Sequence, residues 1–186
     1  MQIKAYLLNS FGVTEAGGNP AGVVLNADNL TDDQKKHIAK IIAFSETAFV
    51  QKSTKADFKI TFFTPNAEVA LCGHATIAAW ALLLKNGLIK PGEYRQEIKA
   101  GILPITITQD GGVIMDQVLP EFKKKIDPKD IAEMLNISPE WITNTDLLPQ
   151  VVSTGLNDLH IAIDTREHLF AIQPNDKKIS KFEKKT

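Results

Sequence analysis

The chain has 186 residues, with 21 Lys and Arg against 22 Asp and Glu, a net charge of −1, and 44% hydrophobic and 23% charged residues. That length holds one large domain or two small ones and permits a sizeable core. The balanced charge argues against a general affinity for nucleic acid or an anionic membrane, no segment reaches the ~20 apolar residues of a bilayer span, and the single cysteine, Cys72, excludes an intrachain disulfide.

Strand-like and helix-like segments alternate along the chain. "IKAYLLNSF" reads as a strand, "EAGGNPAG" as a glycine-rich loop and "VVLNA" as a second short strand. "LTDDQKKHIAKIIAF" reads as a helix: Thr31 and Gln34 have capping-box spacing, Asp32 and Asp33 suit the positive end of the dipole, and Ile38, Ile41 and Ile42 form an apolar face. "ETAFVQK" and "FKITFFTP" are strands, and "NAEVALC" is a short extended piece leading into Gly73. From Ala75 to Lys85 a helix apolar on nearly every side is expected, hence one buried all round, with Trp80 and Leu83 in the core and Gly87 closing its C-terminus. "YRQEIKAG", "ILPITITQDGG" and "VIMDQVL" are strands, with a "DGG" turn before the last. Charged "PEFKKKIDPKD" is a connector, "DIAEMLNI" a short amphipathic helix, and "QVVSTGLNDLHIAI" strand, loop and strand. The basic runs at Lys123 to Lys125 and Lys177 to Lys185 read as solvated helix or linker.

An internal repeat follows from this order. "YLLNSFGVTEAGGNPAGVVLN" and "PQVVSTGLNDLHIAID" are each strand, Gly/Asn loop, strand, and each leads into a helix. The first copy continues into "SETAF" and "CGHAT"; the second stops, so the expected division is a whole domain over 1–119 and the start of a second over 120–186. The lone cysteine and the absence of an apolar leader core give the expectation of a cytoplasmic protein.

Two places carry reactive side chains. "CGHAT" stands where a strand ends and the buried helix begins, and the first helical turn leaves N–H groups unpaired with partial positive charge. A carboxylate is a natural ligand there; Gly73 allows close backbone approach, His74 offers a hydrogen bond or proton and Thr76 a hydroxyl. In "IIAFSETAFV", Glu46 is a carboxylate enclosed by apolar sequence, a setting that suits general acid/base work. Both also have a plain reading: a turn glycine, a small buried thiol, a helix-start histidine and a carboxylate facing water. A metal is not expected, since Cys72 and His74 are too close in sequence for a familiar zinc spacing. His37 and His168 look like ordinary helix-face residues. One cysteine also argues against two-thiol amino-acid epimerisation within one molecule.

Taken together, "GGNPAGVVL", "FSETAFV", "FTPNAEVALCGHATIAAW" and "VVSTGLNDLHIAI" resemble, in that order, the PhzF-like family named for phenazine biosynthesis. The resemblance implies an α+β, diaminopimelate-epimerase-like fold. Two similar domains each wrap a sheet around a central helix, with the active site in the cleft between them. It implies a cofactor-independent isomerase acting on a small carboxylate-bearing, amino acid-like substrate, with no metal. The family's proton-shuttling glutamate falls on Glu46 and its "GHAT" histidine on His74. Asn19 matches a loop asparagine, and with Ser45, Cys72, Gly73, Ala75 and Thr76 it is expected to line the cleft. The family's later motif resembling "EDPATGSA" has no counterpart here. The expectation is therefore a truncated second domain, impaired turnover as an isolated chain, and self-association as a homodimer. A catalytically silent module that binds a small acid or a partner chain is the alternative from another class.

Overall fold

The computed structural model describes residues 2–14 and 17–183, and the chain divides into two compact units, Met1–Gln117 and Val118–Thr186.

The first unit is built on one eight-stranded sheet. In β1 (Tyr6–Ser10), Tyr6 and Leu8 turn toward the core while Leu7 and Asn9 face out, the period of two that a half-buried strand imposes. It pairs antiparallel with β2 (Asn19–Val24), with Ser10 opposite Asn19. Asn19 and Pro20, expected in the glycine-rich loop, are thus the first residues of this strand. A proline is tolerated at a strand's start, where its missing N–H costs little.

Helix α1 (Asp32–Ile42) begins with the expected capping box: Gln34 N donates to Thr31 Oγ1 at 3.3 Å and Thr31 N donates to Gln34 Oε1 at 2.9 Å. Its packing face is the expected one only in part: Ile38 packs against the core cluster of Ala39, Phe49 and Phe63, and Ile42 is half-buried. Lys35 and Ala39 are buried, whereas Ile41 is 70% exposed. The Lys35 stem lies under the helix while its ammonium reaches Gln51 Oε1 at 3.0 Å and Asp32 Oδ1 at 3.3 Å, so a long charged side chain covers apolar surface that isoleucine was expected to cover.

Next come β3 (Thr47–Gln51), β4 (Phe58–Phe63), β5 (Glu68–Val69), α2 (Gly73–Lys85), β6 (Gly92–Ile98), β7 (Gly101–Ile107) and β8 (Val113–Met115). The strand order is β1-β2-β3-β4-β6-β7-β8, with β5 beside β4; β2/β3 and β4/β6 are parallel and the other pairs antiparallel. The sheet curls around α2. Ala48 and Val50 of β3 join Ile60 and Phe62 of β4 in the core cluster that holds α2, while Phe49 and Phe63, on the opposite face, pack with Ala39 of α1. Ala75, Thr76, Ala78, Ala79, Trp80, Leu82 and Leu83 are all buried, as a helix apolar on nearly every side must be. Asn86 caps its C-terminus, and Gly87 follows at φ +67°, the left-handed region that glycine enters without cost.

The second unit contains β9 (Glu121–Lys125), α3 (Pro128–Leu135), α4 (Glu140–Thr143), β10 (Gln150–Ser153), β11 (Asn157–His160), α5 (Arg166–Ala171) and α6 (Asp176–Glu183), with an antiparallel sheet in the order β11-β10-β9. Lys123 to Lys125, read as helix or linker, belong to β9. The strand is exposed along its whole length, and lysines suit an unpaired sheet edge because they resist edge-to-edge pairing. His168 is likewise more than a helix-face residue. Its ring stacks on Trp141 at 4.0 Å between centroids, and its Nδ1 lies 2.6 Å from Asp164 Oδ1. That hydrogen bond is the main cause holding the Asp164 carboxyl below its ordinary value. Among the described residues no helix is long and apolar enough to cross a membrane.

Candidate active site

Glu46, Cys72 and His74 meet at one end of α2. Glu46 immediately precedes β3, and its backbone carbonyl accepts from Gly22 N at 3.2 Å, the rung that opens the parallel β2/β3 pairing. Gly22 has to be glycine: a Cβ there would stand 2.7 Å from Thr47 Oγ1 and 2.9 Å from Ile42 Cδ1. Glu46 is one strand period before Ala48 and two before Val50, both of which face α2. Its carboxylate accordingly reaches the start of α2, where Oε2 lies 3.4 Å from His74 Nε2.

Cys72 is the N-cap of α2 and supplies no capping hydrogen bond from its side chain. Its Sγ lies 3.4 Å from His74 Nδ1. One donor atom each of Glu46, Cys72 and His74 falls within 4.8 Å of the others. His74 and Glu46 side chains are 11% and 22% exposed, so the cluster is mostly buried. Among the described residues, His74 Nε2 is buried and has no hydrogen-bond partner; its contact with Glu46 is close but not aligned for one.

Burial pushes the Cys72 thiol up from its ordinary 9.0 to about 12; the Ala75 N–H pulls it down, while the charge of Glu46 and the hydrogen bond to it raise it further. Cys72 therefore stays a thiol at neutral pH and is no general base there. The neutral thiol is the form the fold favours, so its contribution to stability is present below pH 9 and lost as pH rises through about 12. Reactivity follows. A shift from 9.0 to about 12 lowers the thiolate fraction ~1000-fold, of which the more basic sulfur recovers ~30-fold through a Brønsted slope of ~0.5. Iodoacetamide at pH 8 is expected to alkylate Cys72 at least ~30-fold more slowly than a free cysteine, measured by mass spectrometry. Alkylation at the free-thiol rate would contradict the buried, protonated assignment.

The other expected site residues fall as follows. Gly73 is the first residue of α2 and has room around it: the nearest atom to a Cβ built there is Met115 Cε at 3.9 Å. Ala75 is fully buried. Thr76 is also fully buried, and its hydroxyl donates to the Cys72 carbonyl at 2.7 Å, so it closes the first turn instead of pointing outward. Ser45 is exposed beside Glu46, and Asn19 is exposed at the start of β2. A residue that sequence reasoning missed ties these parts together. Ser10, at the end of β1 and opposite Asn19, is buried and donates from Oγ to the His74 carbonyl at 2.7 Å. A serine ending an apolar strand carries no sequence signal for such a contact. Gly18, at φ +89°, packs so closely that a Cβ would come 2.5 Å from the Ser10 carbonyl, which explains one glycine of the loop.

Comparisons with known proteins agree with this architecture. The model of the PhzC-PhzF family, described as phenazine biosynthesis-like protein, matches residues 8–186. An uncharacterized isomerase of Bacillus subtilis, YfhB, is 36% identical over 90% of this chain and 59% of its own length. The crystal structure of a Bacillus anthracis phenazine biosynthesis protein of the PhzF family superposes with a TM-score of 0.81 at 31% identity, covering 95% of this chain and 61% of that one. A hydroxyproline epimerase from Agrobacterium vitis shares the fold at 15% identity, with a TM-score of 0.54 over 77% of this chain and 48% of that one. The chain thus spans about three-fifths of the length of the relatives it matches. Its α+β fold, with a sheet curled around a buried helix, is that of the PhzF and epimerase-like proteins, and the chain belongs to the PhzC-PhzF, phenazine biosynthesis-like, family.

Proposed function

We propose that the chain carries one wall of a cofactor-independent isomerase site, in which Glu46 moves a proton on a small carboxylate-bearing, amino acid-like substrate. The observation that carries this reading is the approach of the Glu46 carboxylate to the His74 imidazole, at 3.4 Å, beside a helix N-terminus that no side chain caps. The first-turn amides of α2 bind the substrate carboxylate, since those N–H groups and the dipole favour an anion. Glu46 then takes a proton from a nearby carbon. The C–H bond breaks, its electron pair shifts into the adjacent unsaturated system, and the same carboxyl returns the proton to a second carbon, so no atom or electron is gained. His74 orients the substrate and shields the shuttle. Cys72 remains a neutral thiol hydrogen-bonded to Glu46. Asn19 and Ser45, exposed at the rim, contact the substrate's polar groups.

The chain spans about three-fifths of its relatives, and transition-state positioning depends on both walls of a cleft. Turnover by the 186-residue chain alone is therefore weak or absent, and a module that binds a small acid without converting it is the second reading. Titration with a panel of small hydroxylated amino acids tests both: binding that His74→Ala weakens more than Glu46→Gln supports a site at the start of α2, and binding indifferent to both removes it.

Assembly belongs to the same reading. Phe122, Leu147 and Leu148 are 69%, 64% and 54% exposed in the second unit, and they line one groove with Val152 and Ala162. Apolar surface of this kind favours self-association, as a two-fold homodimer in the simplest case. Light scattering at micromolar concentration is expected to give twice the chain mass, and a monomer there would count against it.

A further inference from the structure

We propose that Glu46, Cys72 and His74 also form a binding site for a thiophilic divalent cation, zinc foremost, and that the bound ion blocks the site. The spacing Cys72-x-His74 is by itself no zinc signature; the fold supplies the third donor by bringing Glu46 across from the start of β3. One oxygen of Glu46, the Cys72 sulfur and one ring nitrogen of His74 lie within 4.8 Å of one another; the two 3.4 Å contacts, Sγ to Nδ1 and Nε2 to Oε2, run to different nitrogens of the ring, and an ion takes only one of them. A tetrahedral ion with bonds of ~2.0–2.3 Å spaces its donors ~3.3–3.8 Å apart. Closing on one ion draws the three donors together from separations of up to 4.8 Å, and no other such trio converges among the described residues.

The donor set selects the metal. One sulfur, one imidazole and one carboxylate suit a borderline-soft ion, whereas magnesium and calcium ask for oxygens alone. A second observation points the same way: among the described residues, His74 Nε2 is buried without a hydrogen-bond partner, and such groups normally have one. The partial exposure of Glu46, 22%, leaves a path of entry and a fourth position for water. Binding replaces the S–H proton by the metal and releases that proton to solvent; nothing is oxidised or reduced. An ion on Glu46 occupies the lone pairs that proton transfer uses. This last consequence rests on the isomerase reading, while the binding itself does not.

Cobalt(II) is the probe, titrated into the full chain kept reduced by a non-thiol reductant. With one cysteine in the sequence, a sulfur-to-cobalt charge-transfer band in the near ultraviolet can come only from Cys72. The expected result is such a band at one equivalent, abolished by added zinc and absent in Cys72→Ser. Glu46→Gln and His74→Asn should each weaken cobalt binding by ~10- to 100-fold or more, and His168→Asn should leave it unchanged, with far-UV circular dichroism confirming that each variant is folded. A folded wild-type chain that gives no band at millimolar cobalt overturns the site, as does a band that survives both Glu46→Gln and His74→Asn. Failure of the metal site stays distinct from failure of the isomerase reading. A missing band leaves proton transfer by Glu46 standing, whereas a band without any binding of small acids keeps the metal site and removes the isomerase.

Discussion

Glu46→Gln is expected to slow proton exchange on a bound substrate by about 10²- to 10⁴-fold, the usual worth of a positioned general acid/base, while changing substrate affinity only a few-fold. The measurement is the exchange of carbon-bound hydrogen for deuterium in D2O, followed by NMR. Exchange needs abstraction of the carbon-bound proton by Glu46, replacement of that carboxyl proton by a deuteron from solvent, which the 22% exposure of the Glu46 side chain permits, and return of the deuteron, so it is visible even where net isomerisation by this chain is weak. Gln keeps the shape of the side chain and an oxygen that can accept, but it cannot carry the proton. In the proposed function the substrate carboxylate is held elsewhere, at the first turn of α2, where Cys72 makes no side-chain capping hydrogen bond. Hence the expected split: Glu46→Gln loses rate and keeps binding, whereas His74→Ala, which opens the floor of the site, loses binding as well. Exchange at the wild-type rate in Glu46→Gln would end the assignment of Glu46 as shuttle. Binding with no exchange even in the wild-type chain would favour the silent, acid-binding module.

The parts of this site differ in how far the sequence could reveal them. The helix from Gly73 to Lys85 was legible because its apolar residues leave no polar face, and α1 was legible from its capping box. That Glu46 and His74 share a site came from the family resemblance of "SETAFV" and "CGHAT", not from spacing; their 3.4 Å separation joins residues far apart in sequence, which no local pattern encodes. Ser10 was missed for the same reason, since its hydroxyl reaches from the end of β1 to the His74 carbonyl in α2. Other misreadings were local. The strand β9 hid in a lysine-rich run because an exposed edge strand buries nothing and so shows no apolar alternation. On α1, Ile38 packs as expected, but Ile41 is exposed and Lys35 was overlooked, because hydropathy scores Lys35 by its charge while the fold uses its stem. Thr76 looked like a ligand hydroxyl, yet in a first helical turn that hydroxyl is satisfied by the Cys72 carbonyl.

Trp80→Ala is expected to cost ~3–5 kcal/mol from the cavity alone, and more once its polar partner is counted. Trp80 is fully buried on α2, edge-on to Phe58 at 5.5 Å between centroids and tilted against Tyr94 at 5.4 Å. Its indole N–H donates to Gln96 Oε1 at 3.1 Å, and Gln96 is itself fully buried with Nε2 unpaired. Removing the indole therefore leaves both ends of a buried amide without a partner, worth a further ~1–3 kcal/mol. Against a typical total of ~5–15 kcal/mol, the first unit would be marginal or unfolded. Urea denaturation followed by far-UV circular dichroism measures the loss. Two further variants separate its causes. Trp80→Phe keeps most of the ring and should cost chiefly the hydrogen bond, ~1–3 kcal/mol. Adding Gln96→Leu to Trp80→Phe removes the stranded amide and should recover much of that loss, because replacing both partners of a buried hydrogen bond by apolar groups is close to neutral. A Trp80→Ala loss below ~1 kcal/mol would mean that the site at the start of α2 is not anchored by this core. If instead the loss is large and the double variant recovers, the same helix that presents His74 and Cys72 is held in register by one indole two turns further on.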